Sequence, residues 1–309
     1  MRLVTCLFLL ALAAGPVWAQ SFPSKAVRIV VPFPPGGGAD ALARLMAPKL
    51  SEIWKQQVII ENKPGASGHI GADLVANSPA DGYTVLMSTT ASLSEKNVDQ
   101  FAPITLVSAS PYVVTINPAV QAQDIRGLIA LATANPGKLS YGSSGTGAAS
   151  HLSAELFKSM AQIELLHVPY KGTGQALTDL LAGQVDLMFA PAQTVIAHVR
   201  AGKLKALAVT GAQRSPTLPE LPTVAQSGLP GYEAVGWFGL LAPVRTPGPI
   251  VAQLSSDANA VLKDQEVVEK MQALGAEPAG NTPAQFARFI REDQAKWSKL
   301  MREAGIKSE

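Results

Sequence analysis

Apolar runs of strand length alternate along the chain with stretches in which apolar residues recur at helical spacing. Val27–Val31 is a nearly continuous apolar run, and residues 42–54 return to helical spacing. Pro48 lies inside that helical pattern and is expected to kink or shorten the helix. Near the C terminus, residues 282–285 form a capping box that opens a long helix. This alternation predicts an α/β fold with largely parallel sheets and a ligand site at the carboxyl ends of their strands.

A glycine-rich loop separates the first predicted strand from the first predicted helix. Residues 34–38 read Pro-Pro-Gly-Gly-Gly, a sequence that ends the strand and lets the backbone approach another group closely. Asp40 falls in the first turn of the helix. Because a helix start carries unpaired N–H groups and the positive end of the dipole, this junction is a candidate anion site. The alternative is that Asp40 only caps the helix and the glycines only turn the chain.

The same strand, loop and helix order occurs twice more. Residues 143–147 (Ser-Ser-Gly-Thr-Gly) follow a predicted strand and open a helix, and residues 171–174 (Lys-Gly-Thr-Gly) do the same. If the chain crosses between two domains near Pro111 and Trp237, the first junction faces the other two across a cleft. The predicted boundaries are 20–110 with 240–309 for domain I, and 111–239 for domain II.

The N-terminal residues have the pattern of a signal peptide rather than of a folded segment. Arg2 precedes an apolar stretch at residues 3–14, and cleavage is expected after Ala19, which makes residues 1–19 the signal peptide. The stretch is too short for a membrane anchor. Cys6, the single cysteine, would be removed with it. These features predict an exported, soluble protein, which in a bacterium means the periplasm.

Composition and motifs argue against several classes of function. With 47% apolar residues and a net charge of +2, the chain can bury a large core and has no basic run for nucleic acid. Thr146 replaces the last glycine of a G-x-S-x-G motif, and no phosphate-binding P-loop motif is present. The four histidines lack metal-ligand spacing. We therefore expect no catalytic residues, no metal and no cofactor, although Ser143 or Ser144 with His151 remains a candidate nucleophile set.

Several motifs together resemble one family, the Bug-type extracytoplasmic solute receptors, which are the substrate-binding proteins of tripartite tricarboxylate transporters. The similar segments are VPFPPGGGADALAR (31–44), ENKPGASGHIGADLVANSPADGYT (61–84), ANPGKLSYGSSGTGAASHLSAELF (134–157), HVPYKGTGQALTDLLAGQVDLMF (167–189) and LPTVAQSGLPGY (221–232). The resemblance implies a type II periplasmic-binding-protein fold, with two α/β domains around a ligand cleft joined by two crossing strands.

The resemblance also implies a carboxylate ligand held largely by backbone N–H groups and waters. The ligand-binding residues it implies come from both domains: Phe33, Pro35, Gly36, Gly37, Ala39, Asp40, Thr89, Thr90, Ser143, Ser144, Gly145, Thr146, Tyr170, Lys171 and Phe189. Two departures from the family pattern affect the ligand. The segment at residues 91–100 is shortened, and Ala190 and Pro191 offer no side-chain donor where the family often has an acid or an amide.

The first functional hypothesis is a monomeric periplasmic receptor that closes on a small organic acid and delivers it to the two membrane subunits of a tripartite transporter. A dicarboxylate, a tricarboxylate, an acidic amino acid or an aromatic acid would all suit N–H groups at helix starts. A second hypothesis is a secreted hydrolase or transferase on the same scaffold. A third is a sensor that presents its ligand to a signalling partner.

Overall fold

The computed structural model describes residues 22–94 and 96–303, and the predicted signal peptide lies outside them. The described strands are β1 (Val27–Val31), β2 (Val58–Asn62), β3 (Thr84–Ser88), β4 (Phe101–Ile116), β5 (Ser140–Ser143), β6 (Leu166–Pro169), β7 (Leu187–Pro191), β8 (Lys205–Val209) and β9 (Val235–Pro243). The described α-helices are α1 (Gly38–Trp54), α2 (His69–Ala76), α3 (Ile125–Ala134), α4 (Ala149–Ala161), α5 (Thr173–Leu181), α6 (Ala192–Arg200), α7 (Gly248–Lys263), α8 (Gln265–Ala273) and α9 (Pro283–Glu303). Of these helices, none has the length and apolar content needed to cross a membrane.

The strands form two lobes that share the long strand β4. In the first lobe, β2, β1 and β3 are parallel, and β9 pairs antiparallel with β3 and with β4. In the second lobe, β6, β5 and β7 are parallel, and β4 pairs antiparallel with β7 and β8. The prediction of largely parallel sheets therefore holds for three strands of each lobe, and each antiparallel pair of these strands involves β4 or β9.

Strand β4 passes from one lobe to the other without a break. It pairs with β9 as far as Pro111 and with β7 from Tyr112 onward. Pro111 has no N–H to donate to a ladder, and it stands where β4 changes partner. The predicted crossing near Pro111 is confirmed, while the domain boundaries at 110/111 and 239/240 stay a prediction.

Apolar side chains cover both faces of each sheet. Ile29 packs in one cluster of the first lobe and Val30 in another, because successive residues of a strand point to opposite faces. Val114 and Val113 do the same in the second lobe. This double covering explains why the strands read as apolar runs instead of alternating patterns.

Two helices differ from the prediction. Helix α1 continues through Pro48 to Trp54, so the expectation that Pro48 shortens it is wrong. Pro48 lies on the exposed side of α1, where water can reach the carbonyl that loses its N–H partner. Helix α9 packs on both lobes, because Phe286 belongs to a first-lobe cluster and Trp297 to a second-lobe cluster. The C-terminal helix therefore forms a further link between the lobes.

Candidate ligand-binding cleft

A cavity lies between the two lobes, next to the crossing strands. Phe238 on β9 and Tyr112 on β4 border it at the crossing. The first lobe further contributes Phe33, Gly37, Gly38, Ala39, Thr89 and Ala91, and the second lobe contributes Ser144, Ala148, Ala149, Thr173 and Pro191. Backbone, small side chains and aromatic rings therefore make up most of the wall.

Helix starts from both lobes meet at this cavity, where α1 and α4 begin and where α5 and α6 begin as well. Helix α1 follows Gly37 and helix α4 follows Ala148, and at neither start does a side chain of the N-cap residue accept a hydrogen bond from the first turn. Helix starts have N–H groups without partners inside the helix and carry the positive end of the helix dipole. Their convergence on one cavity makes it suited to an anionic group.

The buried carboxylate of Asp40 holds the loop between β1 and α1 in shape. Its oxygens accept hydrogen bonds from the Gly36 N–H at 3.1 Å, from Asn62 Nδ2 at 3.0 Å and from Arg44 Nε at 3.0 Å. Asn62 Nδ2 also donates to the Phe33 carbonyl. Burial alone would raise the pKa of Asp40, but these three donors outweigh it and hold the pKa below its usual value. Asp40 is therefore an ionised anchor inside the loop.

Hydrogen bonds from behind hold the loop between β5 and α4. Ser143 Oγ, which is fully buried, lies 2.7 Å from His167 Nε2, and the Gly147 N–H donates to His151 Nδ1 at 3.1 Å. The candidate pairing of Ser143 with His151 is therefore wrong. Ser143 meets His167 instead because β5 and β6 are parallel neighbours. Their register pairs Tyr141 with His167, and Ser143 lies two residues further along β5.

Glycines let the two lobes come into direct contact across the cleft. A Cβ atom on Gly172 would lie 2.9 Å from Pro34 Cδ, and one on Gly145 would lie 2.6 Å from Ser67 Oγ. A Cβ on Gly37 would lie 3.0 Å from Thr173 Oγ1. Real Cβ atoms are essentially never found within 3.0 Å of another group, so a side chain at Gly172 or Gly145 would force the facing residue of the other lobe to shift.

A second cavity adjoins the first, and Ala91 borders both. Thr90 and Thr146 line the second cavity, whereas Thr89 and Ser144 line the first. The remaining lining residues are Ser67, His69, Leu93, Ser94, Gly147, Leu152, Gln294, Trp297, Ser298 and Met301. The same two loops thus supply polar groups to both cavities.

The structure brings only part of the predicted set to these cavities. The predicted residues that border the first cavity are Phe33, Gly37, Ala39, Thr89 and Ser144, and those that border the second are Thr90 and Thr146. The others lie outside both linings: Pro35, Gly36, Asp40, Ser143, Gly145, Tyr170, Lys171 and Phe189.

Those outlying residues have identifiable surroundings. Phe189 is fully buried and packs against Phe157 in the second-lobe core. The Tyr170 hydroxyl donates to Asp179 at 2.6 Å, and Lys171 is exposed at the end of β6. Direct ligand contact by these residues stays a prediction.

Sequence reasoning missed Tyr112, Phe238 and Gln193. The first two lie on the predicted crossing strands, and that position was a usable signal for cleft residues. Strand β7 runs on to Pro191, so the first amide after it is Gln193 in the first turn of α6. A Cβ on Gly38 would lie 3.1 Å from Gln193 Nε2, which puts this amide beside the start of α1.

Two α/β lobes joined by crossing strands, with a cavity between them, define a solute-binding protein of the type II periplasmic class. The chain belongs to the tripartite tricarboxylate transporter family receptors, because residues 42–306 match the model of that family. It is 36% identical to Protein BugT of Bordetella pertussis, over 95% of this chain and 94% of BugT.

Solved structures share this fold. A protein of R. palustris, Rpa4515, solved with adipate, superposes with a TM-score of 0.88 at 37% identity and covers 92% of this chain and 99% of its own. The periplasmic binding protein BugD superposes with a TM-score of 0.87 at 35% identity, covering 93% of this chain and 100% of its own. The resemblance to Bug-type receptors and the predicted fold class are thereby confirmed.

Proposed function

We propose that this protein is a periplasmic receptor that closes on a small organic carboxylate and delivers it to the two membrane subunits of a tripartite transporter. The observation that carries the proposal is the convergence of two helix starts, at Gly38 and Ala149, on one cavity between the lobes. Those N–H groups can hold a carboxylate without a charged side chain. The adipate bound to the similar protein Rpa4515 is a ligand of this kind.

The chemistry of the first cavity narrows the ligand class. Phe33, Tyr112 and Phe238 supply aromatic surface, while Thr89, Ser144 and Thr173 supply hydroxyls. A ligand with a carboxylate at one end and an apolar middle fits this lining better than a tricarboxylate or an acidic amino acid, whose additional charges need more polar partners. We therefore propose a dicarboxylate with a methylene chain or an aromatic acid.

Export and oligomeric state are parts of the same proposal. The protein is made with the signal peptide at residues 1–19, is cut after Ala19 and acts as a monomer in the periplasm. The Bug proteins it resembles include a periplasmic binding protein, which supports this location.

Binding rather than catalysis is the proposed activity of the cleft. A nucleophile must reach the substrate, yet Ser143 is fully buried and lies outside the cavity lining. Ser144 does border the cavity, but its hydroxyl is 3.0 Å from Ser150 Oγ, which is not a general base. The proposed receptor therefore needs no catalytic residue and no cofactor.

The test is a thermal-shift panel on the mature protein with adipate, succinate, benzoate, citrate and glutamate. A ligand at 100 times its dissociation constant adds about 2.7 kcal/mol to the free energy of unfolding, which shifts the midpoint by several degrees. We expect saturable shifts with adipate or benzoate and none with citrate.

Two glycine variants locate the site. Gly37→Val should abolish the shift, because its side chain would enter the closed cleft at Thr173. Gly248→Val is the matched control, since Gly248 also lies at a helix start and a Cβ there meets nothing within 4 Å. Unchanged binding by Gly37→Val would refute the site. If no acid shifts the thermal midpoint of protein that was unfolded and refolded to remove any co-purified ligand, the ligand class is refuted.

A further inference from the structure

Two histidines stack behind the loop that carries Ser144 and Ala148 into the cavity. His151 comes from α4 and His167 from β6, and their ring centroids are 4.1 Å apart. Tyr141 from β5 stacks on His167 at 4.8 Å. His151 is buried. The two imidazoles thus form part of a packed wall between the cavity loop and the second-lobe core.

Each histidine holds one end of that loop. His167 Nε2 shares a hydrogen bond of 2.7 Å with Ser143 Oγ, directly before Ser144. His151 Nδ1 accepts the Gly147 N–H at 3.1 Å, directly before Ala148. A ring nitrogen that accepts an N–H carries no proton, so His151 is neutral with its proton on Nε2. That nitrogen faces Glu155 at 4.0 Å.

Burial keeps both rings neutral, and the charges around them partly offset one another. Glu155 accepts from the Tyr141 hydroxyl and pairs with Lys158 at 2.8 Å, so its charge is shared with other partners. Burial lowers the pKa of His151, Lys158 adds to that effect and Glu155 opposes it. Burial also lowers the pKa of His167 to about 4, with the charges of His151 and Lys158 acting in the same direction and Glu155 against them.

We infer that neutral His151 and His167 are positioning residues for the ligand loop, and that their protonation releases the loop and weakens ligand binding in acid. The effect on ligand binding rests on the proposed function, whereas the effect of the histidines on the loop does not. A proton on His151 Nδ1 would set a donor against the Gly147 N–H. Two charged rings stacked at 4.1 Å would also repel each other.

The direction of the pH dependence follows from the lowered pKa values. A histidine whose pKa is lower when folded binds fewer protons than it does unfolded. Its contribution to stability is complete above the unfolded pKa of about 6.5 and is lost as the pH falls toward the folded pKa. For His167 that window ends at about pH 4.

The first experiment follows the Gly147 amide by ¹H–¹⁵N NMR in ligand-free protein, from about pH 8 down to about pH 4. We expect its resonance to titrate in the wild type and to stay constant in His151→Asn, because the asparagine oxygen can replace Nδ1 as a neutral acceptor. His198→Asn, on α6, is the matched control and should titrate like the wild type. A constant Gly147 resonance in the wild type, or an unchanged titration in His151→Asn, would overturn the inference.

The second experiment measures adipate binding by calorimetry at about pH 7.5, above the unfolded pKa of histidine, and at about pH 4, where folded His167 begins to take up its proton. On acidification, the wild type should lose at least about fivefold more affinity for adipate than the double variant His151→Asn/His167→Gln, a difference of about 1 kcal/mol. Protonation of adipate itself affects both proteins equally and cancels in the comparison. Equal losses would overturn the inference. If neither protein binds adipate at the higher pH, the ligand class fails and the Gly147 titration alone decides the role of the histidines.

Discussion

The indole N–H of Trp237 donates to Asp293 Oδ2 across 2.7 Å and joins the crossing strand β9 to the C-terminal helix α9. The same carboxylate accepts from Trp297 at 2.8 Å and from Thr90 at 3.1 Å. Trp297 belongs to the second-lobe core, whereas Trp237 belongs to the first. Asp293 therefore ties both lobes and a cleft hydroxyl to one buried group.

Asp293→Ala should lower the free energy of unfolding by about 2–5 kcal/mol, because it leaves two buried indole N–H groups without an acceptor. Trp237→Phe removes donor and hydrogen bond together and should cost about 1 kcal/mol for the bond, in addition to any change in packing. Urea unfolding followed by circular dichroism measures both. Burial raises the pKa of Asp293 despite its three donors, so the part of the stability that depends on its proton is lost as the pH rises from about 3.8 through the folded pKa.

Asp257→Ala is the matched control for the role of Asp293 between the lobes. Asp257 accepts from Trp54 Nε1 at 2.7 Å, but both residues lie in the first lobe. Its loss should reduce stability and leave adipate affinity within about twofold, a difference of about 0.4 kcal/mol. Asp293→Ala should lower both the stability and the affinity for adipate. A loss of stability with unchanged adipate affinity would contradict this role.

Asp40→Ala should weaken adipate binding more than Arg44→Ala does. Asp40 holds Gly36 and Asn62 in the loop before α1, whereas the Arg44 side chain is 53% exposed and forms a surface pair. The lowered pKa of Asp40 means that its stabilisation is present above about pH 3.8 and is lost as the pH falls through the folded value. Calorimetric titration of both variants decides the order, and equal losses would show that the loop does not depend on Asp40.

Gly37→Ala should weaken ligand binding by obstructing closure, and the effect should depend on Thr173. The new Cβ would lie 3.0 Å from Thr173 Oγ1 on the opposite lobe. In a Thr173→Ala background that obstruction is gone, so the same change at Gly37 should cost little. A double-mutant cycle on adipate affinity measures the coupling, which we expect at about 0.5–3 kcal/mol. Additive effects would mean that the two lobes do not meet here when ligand is bound.

Thr146→Val should discriminate between long and short dicarboxylates. Thr146 lines the second cavity, while Ser144 lines the first, and two residues of chain span at most about 7 Å. A ligand whose carboxylate lies in the first cavity can therefore reach Thr146 when its chain extends into the second cavity. We expect a larger loss of affinity for adipate than for succinate, with Thr133→Val on α3 as a control that changes neither. Equal losses would place both acids within the first cavity.

The sequence predicted the strand-to-helix junctions because glycine runs interrupt the apolar patterns there. A glycine run ends a strand locally, so the positions of the junctions can be read without knowing the rest of the fold. Gly37, Ala39 and Ser144 accordingly lie at the cavity. The pattern could not tell which face of a fully covered strand meets the cleft. Phe189, which the family resemblance implies as a ligand residue, is fully buried, and its contact with a ligand stays a prediction.

Contacts that depend on sheet register were also out of reach. Ser143 meets His167 because β5 and β6 are parallel neighbours, and nothing in the spacing of these two residues indicates that order. Tyr112 and Phe238 reach the cavity only because β4 and β9 cross between the lobes, and the orientation of their side chains depends on that crossing.

The wall of the first cavity has a consequence for how a ligand arrives. None of the described residues that line it carries a charged side chain, and the polar groups that an anion can meet there are backbone and hydroxyl dipoles. Dipoles act over a short range, whereas fixed charges attract ligands over a distance of about one Debye length, near 10 Å in 0.1 M salt. The lining itself therefore adds no long-range attraction to the arrival of an acid, and a bound acid would leave without an ion pair having to break.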